Sequence, residues 1–169
     1  MTRTQMTRVV RACLGGSMLV ALAAGGCMPA PATDKTPAAG TPMSRAVIDP
    51  YLKIQTLLAN DAVDGIRANA GLVATAATAL GAPAMKIDTA ALQLSAAAQA
   101  ETPDMADVRD KFGMLSEAID TYMTGLKLTP PDGVKVAFCP MAHRPWMQEG
   151  DTLANPYYGK AMPSCGSFR

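Results

Sequence analysis

The soft metal ligands of this chain gather near its C-terminal end. Cys139, Met141 and His143 stand at i, i+2 and i+4, and Met162 and Cys165 stand i, i+3 apart. Thiolate and thioether sulfurs suit Cu(I) and similar soft ions, and imidazole suits copper or zinc. A turn at Pro140 would aim Cys139 and His143 at one point. The run Met162-Pro-Ser-Cys165-Gly would supply the other half. The spacing is not that of paired Cys-x-x-Cys knuckles. Cys139, Met141, His143, Met162 and Cys165 compete for the three or four protein ligands that such an ion takes.

The same cysteines carry a second chemistry. In an oxidising compartment Cys139 and Cys165 can pair as a disulfide. A bridge closing a loop of that length contributes about 3 kcal/mol on the chain-entropy view. On the residues alone, metal site and disulfide both stay open. A thiol nucleophile at Cys139 with His143 as base lacks a recognisable orienting group or oxyanion site. Asp61 with Asp64, and Asp104 with Asp107 and Asp110, fall on helical segments as solvated faces. There is no Gly-rich phosphate loop. The expectation is a binding or structural protein rather than an enzyme.

The segment around these ligands holds the chain's one histidine and one tryptophan. Chemistry concentrated in a stretch without regular period is where binding residues are expected. Trp146, Tyr157 and Tyr158 are expected to pack this cap onto the domain, with their polar ends partnered. Met147 beside Trp146 reads as a packing contact, as do Met105 and Met123 on an apolar stripe. Asn155-Pro-Tyr-Tyr-Gly159 reads as a turn.

Helices must hold that cap. Ser44 or Asp49 can cap a first helix with Pro50 at an early position, and Tyr51, Ile54 and Leu58 share a face. Val63, Ile66, Ala70, Val73, Ala77 and Leu80 step by three and four, the period of an amphipathic helix. Gly81 and Pro83 stop it. A third, alanine-rich helix is expected from about Asp88 to Ala100. Thr102-Pro103-Asp104 starts a fourth, whose stripe is Met105, Val108, Phe112, Leu115, Ile119, Met123 and Leu126. Short connections make an all-α, antiparallel four-helix bundle the expected fold. Residues 134–169 form its irregular cap, with one short strand at Val134–Phe138.

The other end of the chain concerns location. Arg3, Arg8 and Arg11 precede an uncharged run from Leu14 to Ala24, and small residues lead into Cys27. This is the layout of a secretory signal over residues 1–26. The run is shorter than the ~20 residues that span a bilayer. Ala24-Gly25-Gly26-Cys27 resembles a bacterial lipobox, which implies a lipid on Cys27, although Ala24 stands where leucine is usual. Cleavage by ordinary signal peptidase is the alternative. Residues 27–43, rich in Pro, Ala, Thr and Gly, read as a lipid-anchored flexible linker to a domain over 44–169. Loss of the leader's arginines lowers the basic count from 15 to 12 against 14 acidic residues. That balance argues against nucleic acid as a partner.

Taken together, Cys-Pro-Met-Ala (139–142), Trp146, Asn-Pro-Tyr-Tyr-Gly (155–159), Met162 and Cys165-Gly166 resemble a family of uncharacterised exported domains. That family occurs as lipoproteins and fused to periplasmic adaptor subunits of copper and silver efflux pumps of the resistance–nodulation–division type. Tyr51-Leu52, Leu57-Leu58-Ala59, Arg109, Phe112 and Leu115-Ser116 extend the likeness over roughly residues 47–168. The resemblance implies a helical bundle with a motif-bearing tail, in which Cys139, Met141, Met162 and Cys165 are the motif residues. It also implies envelope heavy-metal handling. The chain carries no adaptor barrel or hairpin. The expectation is therefore a periplasmic, lipid-anchored protein, on the outer membrane, that holds or hands over Cu(I) or another soft ion. Its partner would be an envelope metal-efflux component. The alternative is a disulfide-stapled structural or protein-interaction module.

Overall fold

The computed structural model describes residues 36–169. The expected leader over 1–26, Cys27 and the tether as far as residue 35 lie outside the described residues. Four helices come first: α1 (Arg45–Ala59), α2 (Ile66–Ala79), α3 (Met85–Ala97) and α4 (Met105–Leu126). Three strands follow: β1 (Val134–Cys139), β2 (Arg144–Glu149) and β3 (Ser167–Phe168). Among the described residues, no helix is long and apolar enough to cross a membrane.

The helices form where the apolar period places them. Ile66, Ala70, Val73 and Ala77 of α2 are buried, as are Val108, Phe112, Leu115, Ile119 and Met123 of α4. Each set lies on one helical face and is removed from water as a stripe. The Asp104 side chain caps α4 by accepting from the Ala106 N–H at 2.9 Å. Pro50 lies inside α1, not at its start. The third helix begins three residues earlier than expected, at Met85, behind a short 3-10 turn at Ala82–Ala84.

The expected all-α bundle with an irregular cap is overturned. Residues 134–168 contain a three-stranded antiparallel sheet in the order β2-β1-β3, so the fold is mixed helix and sheet. Consecutive helices pack in pairs, α1 on α2, α2 on α3 and α3 on α4, whereas α1 and α4 both pack on β2. The sheet thus occupies the place where a bundle would close. Pro145 to Gln148 of β2 are all buried, because helices cover the strand and later loops cover it again. Tyr51 of α1 and Phe112 of α4 meet beneath it, ring centroids 5.1 Å apart. The Met147 N–H donates to the Tyr51 hydroxyl at 3.2 Å, and that hydroxyl also bonds Ser116 at 2.7 Å. A buried phenol with two partners avoids the cost of an unpaired polar group.

The segment expected as a tether joins the domain before residue 44. Gly40 N–H donates to Lys127 O at 2.8 Å and Met43 N–H to Thr129 O at 2.9 Å. Pro42 bridges Thr129 in parallel, and the Met43 side chain is 2% exposed.

One polar clip fixes the turn at residues 155–159. Arg109 of α4 donates to Leu58 O at 3.1 Å and Pro156 O at 3.0 Å, and pairs with Asp61. Asp61 also accepts from the Lys160 N–H at 3.3 Å. The Arg109 hydrogen bond holds the Asp61 carboxyl below its ordinary range. A depressed carboxylate stabilises the fold above its unfolded pKa of about 3.9 and loses that effect as pH falls through its folded value. Asp61→Asn is therefore expected to lower the denaturation midpoint at pH 7. The deficit should vanish at pH values below the folded pKa. Urea titrations across pH test this, and a deficit that persists in acid contradicts it.

Candidate functional site

The two domain cysteines meet because of strand register. Cys139 closes β1, and β1 pairs with β2 so that Cys139 faces Arg144. The hairpin loop is therefore Pro140-Met141-Ala142-His143, with His143 in a left-handed conformation at φ 54°. On the other edge of β1, Ser167 and Phe168 of β3 pair with Phe138 and Ala137. Cys165 lies two residues before β3 and so arrives beside Cys139. The sulfurs are 3.8 Å apart, and both thiols are free.

Gly166 makes that approach feasible. Its φ is +147°, and a Cβ there would lie 2.5 Å from Trp146 Cη2 and 2.9 Å from Phe138 O. Only glycine adopts this backbone against an aromatic ring without displacement. Trp146 is fully buried under the cysteine segment, and its indole N–H donates to Gln148 Oε1 at 2.9 Å. Tyr157 packs edge-on against it at 6.2 Å and donates its hydroxyl proton to Pro145 O. Tyr158 is half-buried.

The hairpin loop also sets the electrostatics. The Ala142 N–H points at Cys139 Sγ from 3.4 Å, and the Asn155 amide donates to the same sulfur from 3.3 Å. Burial pushes the Cys139 thiol up, but hydrogen bonds from Ala142, Asn155, Met141 and Cys165 outweigh it and the net direction is down. Hydrogen bonds to a charged form favour that form. Burial pushes Cys165 up, and the adjacent Cys139 sulfur pushes it the same way. The pair is thus asymmetric, with Cys139 shifted toward the thiolate and Cys165 toward the thiol. Cys139 is buried, whereas Cys165 is only partly so.

The other expected ligands are placed differently. Met141 is 56% exposed on the hairpin loop. Met162 is half-buried in the turn before Cys165, and its carbonyl accepts from the Cys165 N–H at 3.3 Å. His143 is exposed. Among the described residues no three Cys, His, Asp or Glu side chains form a group able to hold a metal. Cys139, Cys165 and His143 therefore do not form a shared cage.

In the sequence Asn155 opens a turn and belongs to the Asn-Pro-Tyr-Tyr-Gly run of the resemblance. The structure gives it a contact with sulfur, and no short-range pattern in the sequence announces that contact. No protein-family model, curated protein or solved structure matches this chain.

Gly166→Ala is expected to cost roughly 1–3 kcal/mol, the usual penalty for overpacking or for a side chain at an unsuitable φ. Equilibrium urea unfolding measures it. An unchanged midpoint would mean that the cysteine segment does not rest on Trp146.

Proposed function

We propose that this protein is an exported, lipid-anchored component of the cell envelope that holds a soft metal ion such as Cu(I) between Cys139 and Cys165. The observation that carries this reading is the pair of free sulfurs 3.8 Å apart with N–H donors aimed at one of them. Two thiolates bound to one ion at about 2.3 Å stand at most about 4.6 Å apart, so the two sulfurs are within reach of a shared ion. At 3.8 Å the sulfurs are not joined, since a disulfide would hold them at ~2.05 Å. Metal ligation needs thiolate, and the donors around Cys139 favour it.

The donor chemistry supports the choice of ion. Soft thiolate and thioether ligands select Cu(I), whereas structural Zn(II) sites take four ligands. Met141 on the hairpin loop and Met162 on the turn before Cys165 are the thioethers we assign to complete the shell. Met141, exposed at the loop tip, is suited to receive or pass on the ion first. Cys139 then holds it out of water. Export, lipidation of Cys27 and delivery to an envelope efflux component rest on the leader and on the family resemblance. No group is assigned a catalytic role.

The closeness of the thiols also favours one competing state. Loss of two electrons and two protons to an oxidant would join the sulfurs and close the site, leaving a stapled scaffold.

Cys139→Ser and Cys165→Ser are each expected to abolish tight, one-to-one Cu(I) binding, measured anaerobically by competition with a chromophoric Cu(I) chelator. Unchanged affinity in both variants contradicts the proposal.

A further inference from the structure

Asn155 is fully buried, and all of its hydrogen-bonding groups are used. Its side-chain nitrogen donates to Cys139 Sγ at 3.3 Å and to the Cys165 carbonyl at 2.5 Å. Its side-chain oxygen accepts from the N–H groups of Tyr157 at 2.7 Å and Tyr158 at 3.3 Å. Its own N–H donates to Pro163 O at 2.8 Å. A single amide therefore touches the sulfur of one cysteine and the backbone of the other. It is tied at its far end to the turn that Arg109 clips.

We infer that Asn155 is the positioning residue of the dithiol site, setting the separation of the two sulfurs and presenting a donor to the buried one. This rests on the metal-binding reading above. Two features point past a merely structural cap. A turn residue needs only the oxygen that accepts from Tyr157 and Tyr158. Here both amide protons are spent on the cysteine arms instead. The residue type is also demanded by the neighbours. Sulfur and carbonyl are both acceptors, so they require two donors on one planar group whose third atom is an acceptor. Asparagine meets all three requirements at this length. Ionised aspartate has the same shape, keeps the turn and offers no proton. It would replace the donor to sulfur by a negative charge beside a thiolate.

The test measures Cu(I) affinity in the full-length chain, anaerobically, by competition with a chromophoric chelator. Thermal unfolding is recorded on the same samples. Asn155→Asp is expected to weaken Cu(I) binding at least tenfold. Asn155→Ser covers the case in which the carboxylate prevents folding. It keeps an oxygen for the Tyr157 N–H but is too short to reach Cys139, and the same loss of affinity is expected. A lower Tm with affinity within twofold of the unaltered protein would make Asn155 a structural cap only and overturn the inference. Cys139→Ser run in parallel separates the two claims. If it abolishes binding while the Asn155 variants do not, the dithiol site stands and its positioning by Asn155 falls. If it leaves binding intact, both fall.

Discussion

The short pairing of β3 with β1 is the constraint on which the candidate site depends. Ser167 and Phe168 add to the sheet edge at Phe138 and Ala137, and the Arg169 N–H donates to Val136 O at 2.9 Å. Closing the intervening stretch of about 26 residues costs roughly 3 kcal/mol in chain entropy. These backbone contacts alone would not offset that. Burial of Trp146 helps to offset it: a fully buried aromatic side chain of ~150–250 Å² at about 25 cal/mol per Å² contributes roughly 4–6 kcal/mol, of which the tail supplies the part that covers the Cη2 and Cζ3 edge. The ring is covered by the Cys165-Gly166 backbone and by Tyr157. The hydrophobic anchor and the position of the second thiol are thus the same packing event.

Burial then creates the chemical problem that the polar groups solve. A sulfur removed from water resists ionisation. Cys139 is 0% exposed, yet its net shift is toward the thiolate because N–H donors from the hairpin loop and the Asn155 amide converge on it. Those donors come from a loop whose length is fixed by the β1–β2 register and from a turn held by Arg109 and Asp61. Helix, hairpin and tail each contribute one part of the sulfur's surroundings. The helices matter to the site through β2, on which α1 and α4 both rest.

The sequence is unevenly informative about this arrangement. The helices are legible because Ile66-Ala70-Val73-Ala77 and Val108-Phe112-Leu115-Ile119 repeat at the helical period. β1 shows weak alternation and is legible in part. β2 is not, for two physical reasons. Pro145 argues against a strand, yet β2 is an edge strand where proline is tolerated. A strand buried on both faces also loses the alternation that marks one. β3 is too short to leave any pattern. A bundle was the natural expectation because nothing local shows that β2 takes the closing position. The soft residues can be named from their types, but their geometry cannot. Cys139 and Cys165 converge through register, whereas His143, four residues from Cys139, is held by its left-handed turn and stays exposed. Met43 likewise sits in a stretch that reads as a tether, and one buried side chain leaves no periodic trace.

The central claim is that two thiols, brought together by the tail, act jointly on one soft ion. X-ray absorption at the copper edge of the Cu(I)-loaded full-length chain tests it most directly. The expected result is a first shell of two or three sulfur scatterers that loses sulfur in Cys165→Ser. A shell of nitrogen or oxygen, or a sulfur shell unaltered by that substitution, would contradict it.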